Sequence, residues 1–403
     1  MAPEDQDNLK TRLAGLSPEQ RELLLRRLKQ KAPGEATAAP APLIPAMPEP
    51  PPSDRPVTFS LFFFSEAGSK TPAEGYELLI ETARFGDAHG FAAVWTPERH
   101  FGEFGGFYPN PAVLGAHLAA RTKRIGIRAG SVVLPLHHPL RVAEEWAVVD
   151  NVSRGRVGVS FASGWHPTDF ALRPEGYRDR KDVMFQGIET VRRLWRGEAV
   201  RQTGVDGREI EVRVLPRPVQ AEIPIWVTAS TSPATWQRAG EIGANVLTIV
   251  QPLPTLTDRI ARYRAGRAAA GLDAEGGNIT VMVHAYVADD EKAARETVRR
   301  PMMDYLRNYL DQYSFLAGGD TSQVRKEDVD TVLGVAFEGY YNTLSLLGDP
   351  DKCARTVDHL RALGVDEIAC LVDFGVETRK ILDALPALAA FKESYAVPAE
   401  AAR

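Results

Sequence analysis

The strongest constraint on the fold is an alternation of short apolar runs with amphipathic runs, which begins at Val57 and continues almost to the end of the chain. Apolar runs of strand length lie at 57–64, 91–95, 125–133, 156–161, 224–228, 244–249, 279–287 and 366–372. Amphipathic runs of helix length follow them at 73–89, 111–121, 140–151, 179–196, 233–242, 255–271, 289–311 and 376–392. Strands that alternate with helices in this way predict a parallel sheet covered by helices.

Eight such strand–helix units in one domain favour an α/β fold of the closed (β/α)8 TIM-barrel type over an open sheet. The runs at 57–64 and 246–250 are almost continuously apolar, as expected for strands buried on both faces. No Gly-x-Gly-x-x-Gly follows the first strand, which argues against a dinucleotide-binding open sheet. The stretches 197–222 and about 312–345 do not fit the alternation, and we expect both to be insertions at or near the catalytic mouth.

The chain before the barrel divides into two parts. Residues 1–31 form a short helical segment with a narrow leucine stripe and a capping box at Ser17-Pro-Glu-Gln20. Residues 32–56 are rich in proline and alanine without a hydrophobic period, so we expect an extended linker. Because so short a helical segment is not stable alone, it must fray, fold back or dock on a partner. The predicted organisation is a possible docking element at 1–31, a linker at 32–56 and the barrel at 57–395.

Composition argues against several classes of protein. The 403 residues carry a formal net charge of −5, which does not suggest binding to nucleic acid or to an anionic membrane. No apolar run approaches the roughly 20 residues of a membrane helix, and because the N-terminus is acidic and has no apolar core segment, we expect no secretory signal. We therefore expect a cytoplasmic protein, with Cys353 and Cys370 as buried thiols and a disulfide as the alternative.

Three ionisable residues, Glu98, Arg99 and His100, directly follow the second predicted strand. Catalytic residues of barrels lie at the C-terminal ends of strands, so all three are candidates for catalysis. A guanidinium stays charged at neutral pH, so we expect Arg99 to stabilise negative charge and His100 to carry a proton. The alternative is a structural Glu98–Arg99 pair with His100 packed beneath a loop.

A second pair of histidines, His137 and His138, precedes the helix that begins near Pro139. Adjacent histidines on a turn rarely converge on one ion, and no carboxylate in the sequence nearby completes a set of ligands. We therefore predict no metal site.

Three further strand ends carry small and hydroxylic residues suited to cofactor binding. They are Gly130 and Ser131 near the end of the third strand, Ala162, Ser163, Gly164, Trp165 and His166 after the fourth, and, from the last residue of the fifth strand onward, Thr228, Ala229, Ser230, Thr231 and Ser232. The last group precedes Pro233 at a helix start, where free N–H groups can bind a phosphate, although an ordinary helix cap is the alternative. Gly130 permits close approach of the backbone to an aromatic ligand, or marks a strand bulge.

Together these segments resemble the bacterial luciferase-like, flavin-dependent monooxygenases, from Val57 to about Phe391. Within that family, the segment from Ser160 to Phe170 is similar to the mupirocin-cluster type branch of polyketide and nonribosomal peptide biosynthesis. The resemblance implies an unusual peptide bond near Gly130-Ser131, under the flavin ring. The family has two neighbouring histidines where this chain has Arg99 and His100, and often an arginine for the flavin phosphate where Ser163 stands.

The resemblance implies a function as well as a fold. It implies a monooxygenase that uses reduced FMN, supplied by a separate flavin reductase, and O₂ as co-substrate. The substrate is expected to be an acyl or aminoacyl intermediate on a carrier protein or synthetase module, and a homodimer is expected by analogy. The alternatives are a deazaflavin-dependent dehydrogenase on the same barrel and a catalytically inactive flavin-binding partner protein.

Overall fold

The strands form a closed parallel barrel in the computed structural model, which describes residues 47–64, 70–230, 232–316 and 326–396. In chain order the strands of these residues are β1 Thr58–Phe62, β2 Ala93–Thr96, β3 Gly126–Val133, β4 Val157–Ala162, β5 Val200–Thr203, β6 Glu209–Val212, β7 Ile225–Thr228, β8 Asn245–Ile249, β9 Ile279–Val287, β10 Leu346–Gly348 and β11 Glu367–Leu371. The barrel consists of β1, β2, β3, β4, β7, β8, β9 and β11, and the pairing of β8 with β9 completes the ring. The predicted (β/α)8 barrel is confirmed.

Helices cover the outside of the barrel. In chain order the α-helices of the described residues are α1 Pro72–Ala88, α2 Pro111–Arg121, α3 Pro139–Ser153, α4 Arg180–Arg196, α5 Pro233–Glu241, α6 Leu253–Ala269, α7 Glu291–Leu316, α8 Lys326–Thr343, α9 Pro350–Ala362 and α10 Thr378–Glu393. Local sequence sets several of their starts. Thr71 and Glu74 form a capping box at α1, and the Asn110 side chain accepts the first free N–H groups of α2.

The first expected insertion, 197–222, lies at the opposite end of the barrel from the one we predicted. It contains the antiparallel hairpin β5–β6. The adjoining Gln220 donates from its side chain to the carbonyl of Val157, the first residue of β4, at 3.0 Å. Its backbone N–H donates to Asp150 near the end of α3. A connection from a helix to the next parallel strand returns to the strand N-termini, so this insertion cannot line the mouth.

The second expected insertion lies on the mouth side. Its described residues include the last part of α7 and the whole of α8. The elements β10 and α9 follow it, and neither was among the predicted elements. β10 pairs with residues 285–287 at the C-terminal end of β9. The hydroxyl of Tyr340 on α8 lies 2.7 Å from Nδ1 of His284 on β9. The α7–α8 segment therefore reaches the C-terminal end of the barrel wall, in agreement with the expected position.

Residues 47–56 of the predicted linker lie against the barrel. His359 Nε2 is 2.8 Å from the carbonyl oxygen of Pro48, and Arg55 forms an ion pair with Asp366 at 3.2 Å. Residues 1–46, which include the predicted docking element and most of the predicted linker, lie outside the described residues. The division into three parts therefore stays a prediction.

Cys353 and Cys370 are both buried and free, so the expected thiols are confirmed over the disulfide. No helix among the described residues has the length and apolar character needed to cross a bilayer.

A buried ion pair occupies the barrel interior near the strand N-termini. Arg128 on β3 donates to both carboxylate oxygens of Glu367 on β11, at 2.9 and 2.7 Å. Ser60 and the indole of Trp95 also donate to Glu367, at 2.5 and 3.2 Å. The guanidinium of Arg128 packs against the rings of Trp95 and Trp226, 4.9 and 4.5 Å from their centroids. We call this set of residues the base network.

Candidate active site at the barrel mouth

The carboxylate of Glu98 joins two loops at the C-terminal ends of β2 and β3. Its Oε1 lies 2.8 Å from Nε2 of His100 and 2.5 Å from Nε2 of His137. Its Oε2 accepts the backbone N–H of Val133 at 2.6 Å. The alternative of a Glu98–Arg99 pair is therefore wrong, and the expectation that no carboxylate accompanies His137 is wrong as well. We call Glu98, His100 and His137 the mouth triad.

The hydrogen bonds of the mouth triad decide its charge. Burial raises the pKa of Glu98, but the hydrogen bonds from His100 and His137 outweigh burial, so its pKa is lowered and the carboxylate is ionised near neutral pH. Burial lowers the pKa of His137, but the hydrogen bond and the charge of Glu98 outweigh it and raise that pKa. Glu98 therefore favours the protonated form of His137.

The same contacts fix the tautomer of His100. An ionised carboxylate can only accept hydrogen bonds, so Nε2 of His100 must carry a proton where it meets Glu98. In the neutral imidazole the basic lone pair is then on Nδ1. The predicted proton carrier thus has a defined accepting atom, and Glu98 has a positioning role.

Arg99 turns away from Glu98 and pairs with Asp169, which lies in the short helical turn Pro167–Leu172 after β4. Both side chains are almost fully buried, and the guanidinium lies 5.3 Å from the ring centroid of Trp165. The buried Oδ1 atom of Asp169 has no hydrogen-bond partner among the described residues. The charge of Arg99 is therefore balanced by a neighbour, and one carboxylate oxygen remains available to a ligand.

Hydroxyl groups from three strands meet inside the barrel. Ser131 forms a hydrogen bond with Thr228, and Thr228 Oγ1 lies 2.7 Å from the hydroxyl of Ser160. The peptide bond between Gly130 and Ser131 is cis, the unusual bond that the resemblance implies. A Cβ atom at Gly130 would lie 2.7 Å from the ring of Phe62, so a larger residue would collide with the barrel interior. The structure thus brings together Ser131 and Thr228, whereas Ser160 was not among the predicted residues.

The loop after β4 brings Ala162, Ser163, Gly164, Trp165 and His166 to the same end of the barrel. Gly164 has a φ of 77°, in the left-handed region that favours glycine. Its carbonyl accepts a hydrogen bond from Arg180 at 3.1 Å. His166 is buried, and burial followed by the charge of Arg99 lowers its pKa, so it is a neutral imidazole near pH 7.

The loop after β7 leads into the N-terminus of α5. Ser232 occupies the N-cap position, but its side chain makes no capping hydrogen bond. Lys181 Nζ lies 3.4 Å from the hydroxyl of Ser232, and Ser230 is exposed beside it. Thr231 lies outside the described residues, and Ala229 is buried. A helix N-terminus without a side-chain cap, next to a lysine, is an environment suited to an anion, and sequence reasoning overlooked Lys181 because it lies on α4.

The luciferase-like monooxygenase family matches residues 57–367. The oxygenase component of flavin-dependent trigonelline monooxygenase from Acinetobacter baylyi is 30% identical over 260 residues, which are 62% of this chain and 70% of that protein. Limonene 1,2-monooxygenase from Rhodococcus erythropolis is 28% identical, over 70% and 71% of the two chains. The 4-hydroxyprotoasukamycin monooxygenase of Streptomyces nodosus subsp. asukaensis is 27% identical, over 62% and 68%.

Solved structures with the same fold agree with this family. The monooxygenase RslO1 from Streptomyces bottropensis has a TM-score of 0.69 and 26% identity, and the match covers 84% of this chain and 100% of that one. The oxygenating constituent of 3,6-diketocamphane monooxygenase from Pseudomonas putida, solved with FMN, has a TM-score of 0.66 at 18% identity, over 85% and 100%. An F420-dependent secondary alcohol dehydrogenase has a TM-score of 0.61 at 17% identity, over 82% and 99%. The last two likenesses concern the fold alone.

Proposed function

Because this chain belongs to the luciferase-like monooxygenase family, we propose that it uses reduced FMN and O₂ to oxygenate an acyl or aminoacyl intermediate of natural-product biosynthesis. The protein is an oxidoreductase, a flavin-dependent monooxygenase. The observation that carries the proposal for FMN is the convergence at one barrel mouth of a positioned histidine, three hydroxyl groups and an uncapped helix N-terminus beside a lysine.

The described residues fit a flavin that carries one phosphate. The hydroxyls of Ser131, Ser160 and Thr228 can meet the polar edge of an aromatic ring system, and Gly130 lets the backbone approach it. The N-terminus of α5 and Lys181 would hold the phosphate in place of the arginine that the family often has at the position of Ser163. FMN has a single terminal phosphate, whereas FAD would need space for an adenylate. When bound, reduced flavin supplies the activation of oxygen.

The residues of the mouth have separate proposed roles. His100 accepts a proton at Nδ1, and Glu98 holds its imidazole in the tautomer that makes this possible. Arg99 stabilises negative charge, but Asp169 balances its guanidinium, so we expect a smaller contribution than from a lone cation. Burial of Arg99, Asp169 and His166 keeps water from this side of the site.

The proposed partners rest on the relatives. The name "oxygenase component" of the Acinetobacter baylyi protein supports a separate reductase, which would deliver reduced FMN. The 4-hydroxyprotoasukamycin monooxygenase supports a role in biosynthesis of the kind found in the mupirocin-type branch. A carrier protein or synthetase module, a homodimer and a cytoplasmic location are further parts of the proposal, and the two free buried thiols agree with the last.

Binding and oxygen uptake together test the cofactor. The purified chain should bind FMN more tightly than FAD or a deazaflavin cofactor, and reduced FMN should be preferred to oxidised FMN. With reduced FMN, an acyl thioester should increase product-coupled oxygen consumption, and the same acyl group on a carrier protein should react at a lower concentration than the free thioester. Preference for deazaflavin without oxygen uptake would favour a dehydrogenase. Flavin binding without any turnover over a panel of carrier-bound acyl and aminoacyl groups would favour an inactive flavin-binding protein.

A further inference from the structure

We propose that Glu98, His100 and His137 form a binding site for one divalent transition-metal ion of the zinc, cobalt or nickel type. The ion has no part in the flavin reaction proposed above. Where it binds, it takes His100 out of that reaction.

The three possible ligand atoms converge on one point at the mouth. Glu98 Oε1 lies 2.8 Å from Nε2 of His100 and 2.5 Å from Nε2 of His137. One ligand atom from each of the three residues lies within 4.8 Å of the others. Ligands that bind one ion at about 2.0–2.2 Å are themselves about 3 Å apart, so small side-chain rotations would open the triad around an ion.

The residue types decide which ions fit. Two imidazoles and one carboxylate suit zinc, cobalt, nickel and iron, whereas magnesium and calcium prefer oxygen ligands alone. Three protein ligands leave an open position, as in zinc sites that also hold a water molecule or a further ligand. The triad therefore favours a transition metal over an alkaline-earth ion.

Neighbouring contacts orient the three ligand side chains, and their exposure makes them accessible to an ion. The backbone N–H of Val133 donates to Glu98 Oε2 at 2.6 Å, so the carboxylate is oriented by a contact that leaves Oε1 to the ion. The side chain of Glu98 is 1% exposed, that of His100 11% and that of His137 31%. Exposure increases from Glu98 to His137, which gives an ion a route to the buried carboxylate.

Binding changes the state of His100. An imidazole that coordinates an ion through Nε2 carries its remaining proton on Nδ1. The atom of His100 that accepts a proton in the proposed reaction is then blocked. This consequence rests on the proposed function, whereas the metal site itself does not, and the ion should inhibit turnover until a chelator removes it.

Calorimetric titration of the full chain with Zn²⁺, after treatment with a chelator and without flavin, tests the site directly. We expect one ion per chain in the wild type and a loss of affinity of more than about 100-fold in His137→Ala, beyond the range for residues that only orient a ligand. His138→Ala is the matched control, because His138 is the next residue and caps α3 outside the triad, and it should bind like the wild type. FMN binding to each variant, measured on the same samples, reports whether the barrel is intact.

Two results would overturn the site. One is a folded, FMN-binding wild type that takes up no stoichiometric Zn²⁺. The other is equal Zn²⁺ affinity in the wild type, His137→Ala and His137→Gln. The glutamine variant keeps a hydrogen-bond donor, so it tests the site even if the alanine variant unfolds the loop. Zn²⁺ binding by a chain that fails to bind flavin would instead contradict the proposed function and leave the metal site standing.

Discussion

Buried charges lie at both ends of this barrel, and they are arranged differently. At the base, each carboxylate oxygen of Glu367 accepts from Arg128, and Oε1 also accepts from Ser60 and Trp95. At the mouth, Asp169 pairs with Arg99, but its Oδ1 atom has no partner in the part of the chain that the structure describes, and Glu98 accepts from two histidines that are partly open to solvent. The base network is complete within the chain, whereas the mouth retains groups that a ligand can use.

This difference separates stability from chemistry. A buried charge with all its partners favours one arrangement of the strands, and removing a partner destabilises the fold. A buried group with unused hydrogen-bonding capacity costs stability and is common where a protein binds or reacts. We therefore expect substitutions at the base to change unfolding and substitutions at the mouth to change turnover.

The largest expected effect is on turnover. His100→Ala removes the proposed proton acceptor and should lower turnover by about 10²–10⁴-fold, the range for general acid–base groups, while FMN binding changes little. His117→Ala on the exposed face of α2 is the control and should behave like the wild type. Near-native turnover of His100→Ala would show that the mouth triad is structural.

Substitution at the base should give the opposite result. Glu367→Gln leaves Arg128 without its counter-charge and should lower the free energy of unfolding by about 3 kcal/mol. This value is at the low end of the range for a broken buried ion pair, because the Arg128 side chain is 18% exposed. Urea denaturation measures the change. Turnover of the folded fraction should stay near that of the wild type. A loss of turnover as large as that of His100→Ala, at unchanged stability, would remove the distinction between the two ends.

A smaller effect is expected from Arg99→Lys. Lysine keeps the charge but loses the planar guanidinium that meets Asp169 and lies near Trp165, so we expect turnover to fall by about tenfold, as for the loss of one charged hydrogen bond. Steady-state kinetics with Arg141→Lys as an exposed control measures this effect. Unchanged kinetics would mean that the shape of Arg99 has no role in the reaction.

The smallest expected effect is a shift of one pKa. Burial lowers the pKa of His137, but Glu98 raises it above its ordinary value in the wild type, and Glu98→Gln should lower it, because the charge of Glu98 is removed while burial remains. Histidine-selective NMR titration measures both values. The raised pKa of His137 stabilises the fold below pH 6.5, and this contribution is lost as the pH rises through the pKa of the folded state. The lowered pKa of Glu98 stabilises the fold above pH 4.5, and this contribution is lost as the pH falls through the pKa of the folded state. The pair should therefore stabilise the fold most between these values, and equal pKa values in both proteins would contradict the contact.

Residues at or just beyond the C-terminal ends of strands were predictable from the sequence. Apolar strands order the chain around the barrel, so Glu98, His100, Ser131 and Thr228 could be placed at one end from their positions in the alternation. The location of 197–222 could have been predicted from the same rule, since a segment between a helix and the next strand lies at the strand N-termini. The error came from treating all insertions alike.

Contacts between loops were not predictable in this way. The pairing of Glu98 with His137 joins the loops after β2 and β3, and that of Arg99 with Asp169 joins those after β2 and β4. Lys181 reaches Ser232 from a different helix. Such contacts depend on the radius of the barrel and on side-chain packing, about which spacing along one chain carries no information.

The most direct test of the mouth as a flavin site compares FMN with riboflavin, which lacks the phosphate. We predict that the wild type binds reduced FMN more tightly than reduced riboflavin. Lys181→Ala should weaken FMN by about tenfold, the effect of one charged hydrogen bond, and leave riboflavin almost unchanged. Lys123→Ala, an exposed lysine before β3, should change neither affinity. Equal affinity of the wild type for both flavins, or an equal loss of both in Lys181→Ala, would contradict a phosphate site at α5 and with it the proposed placement of the cofactor.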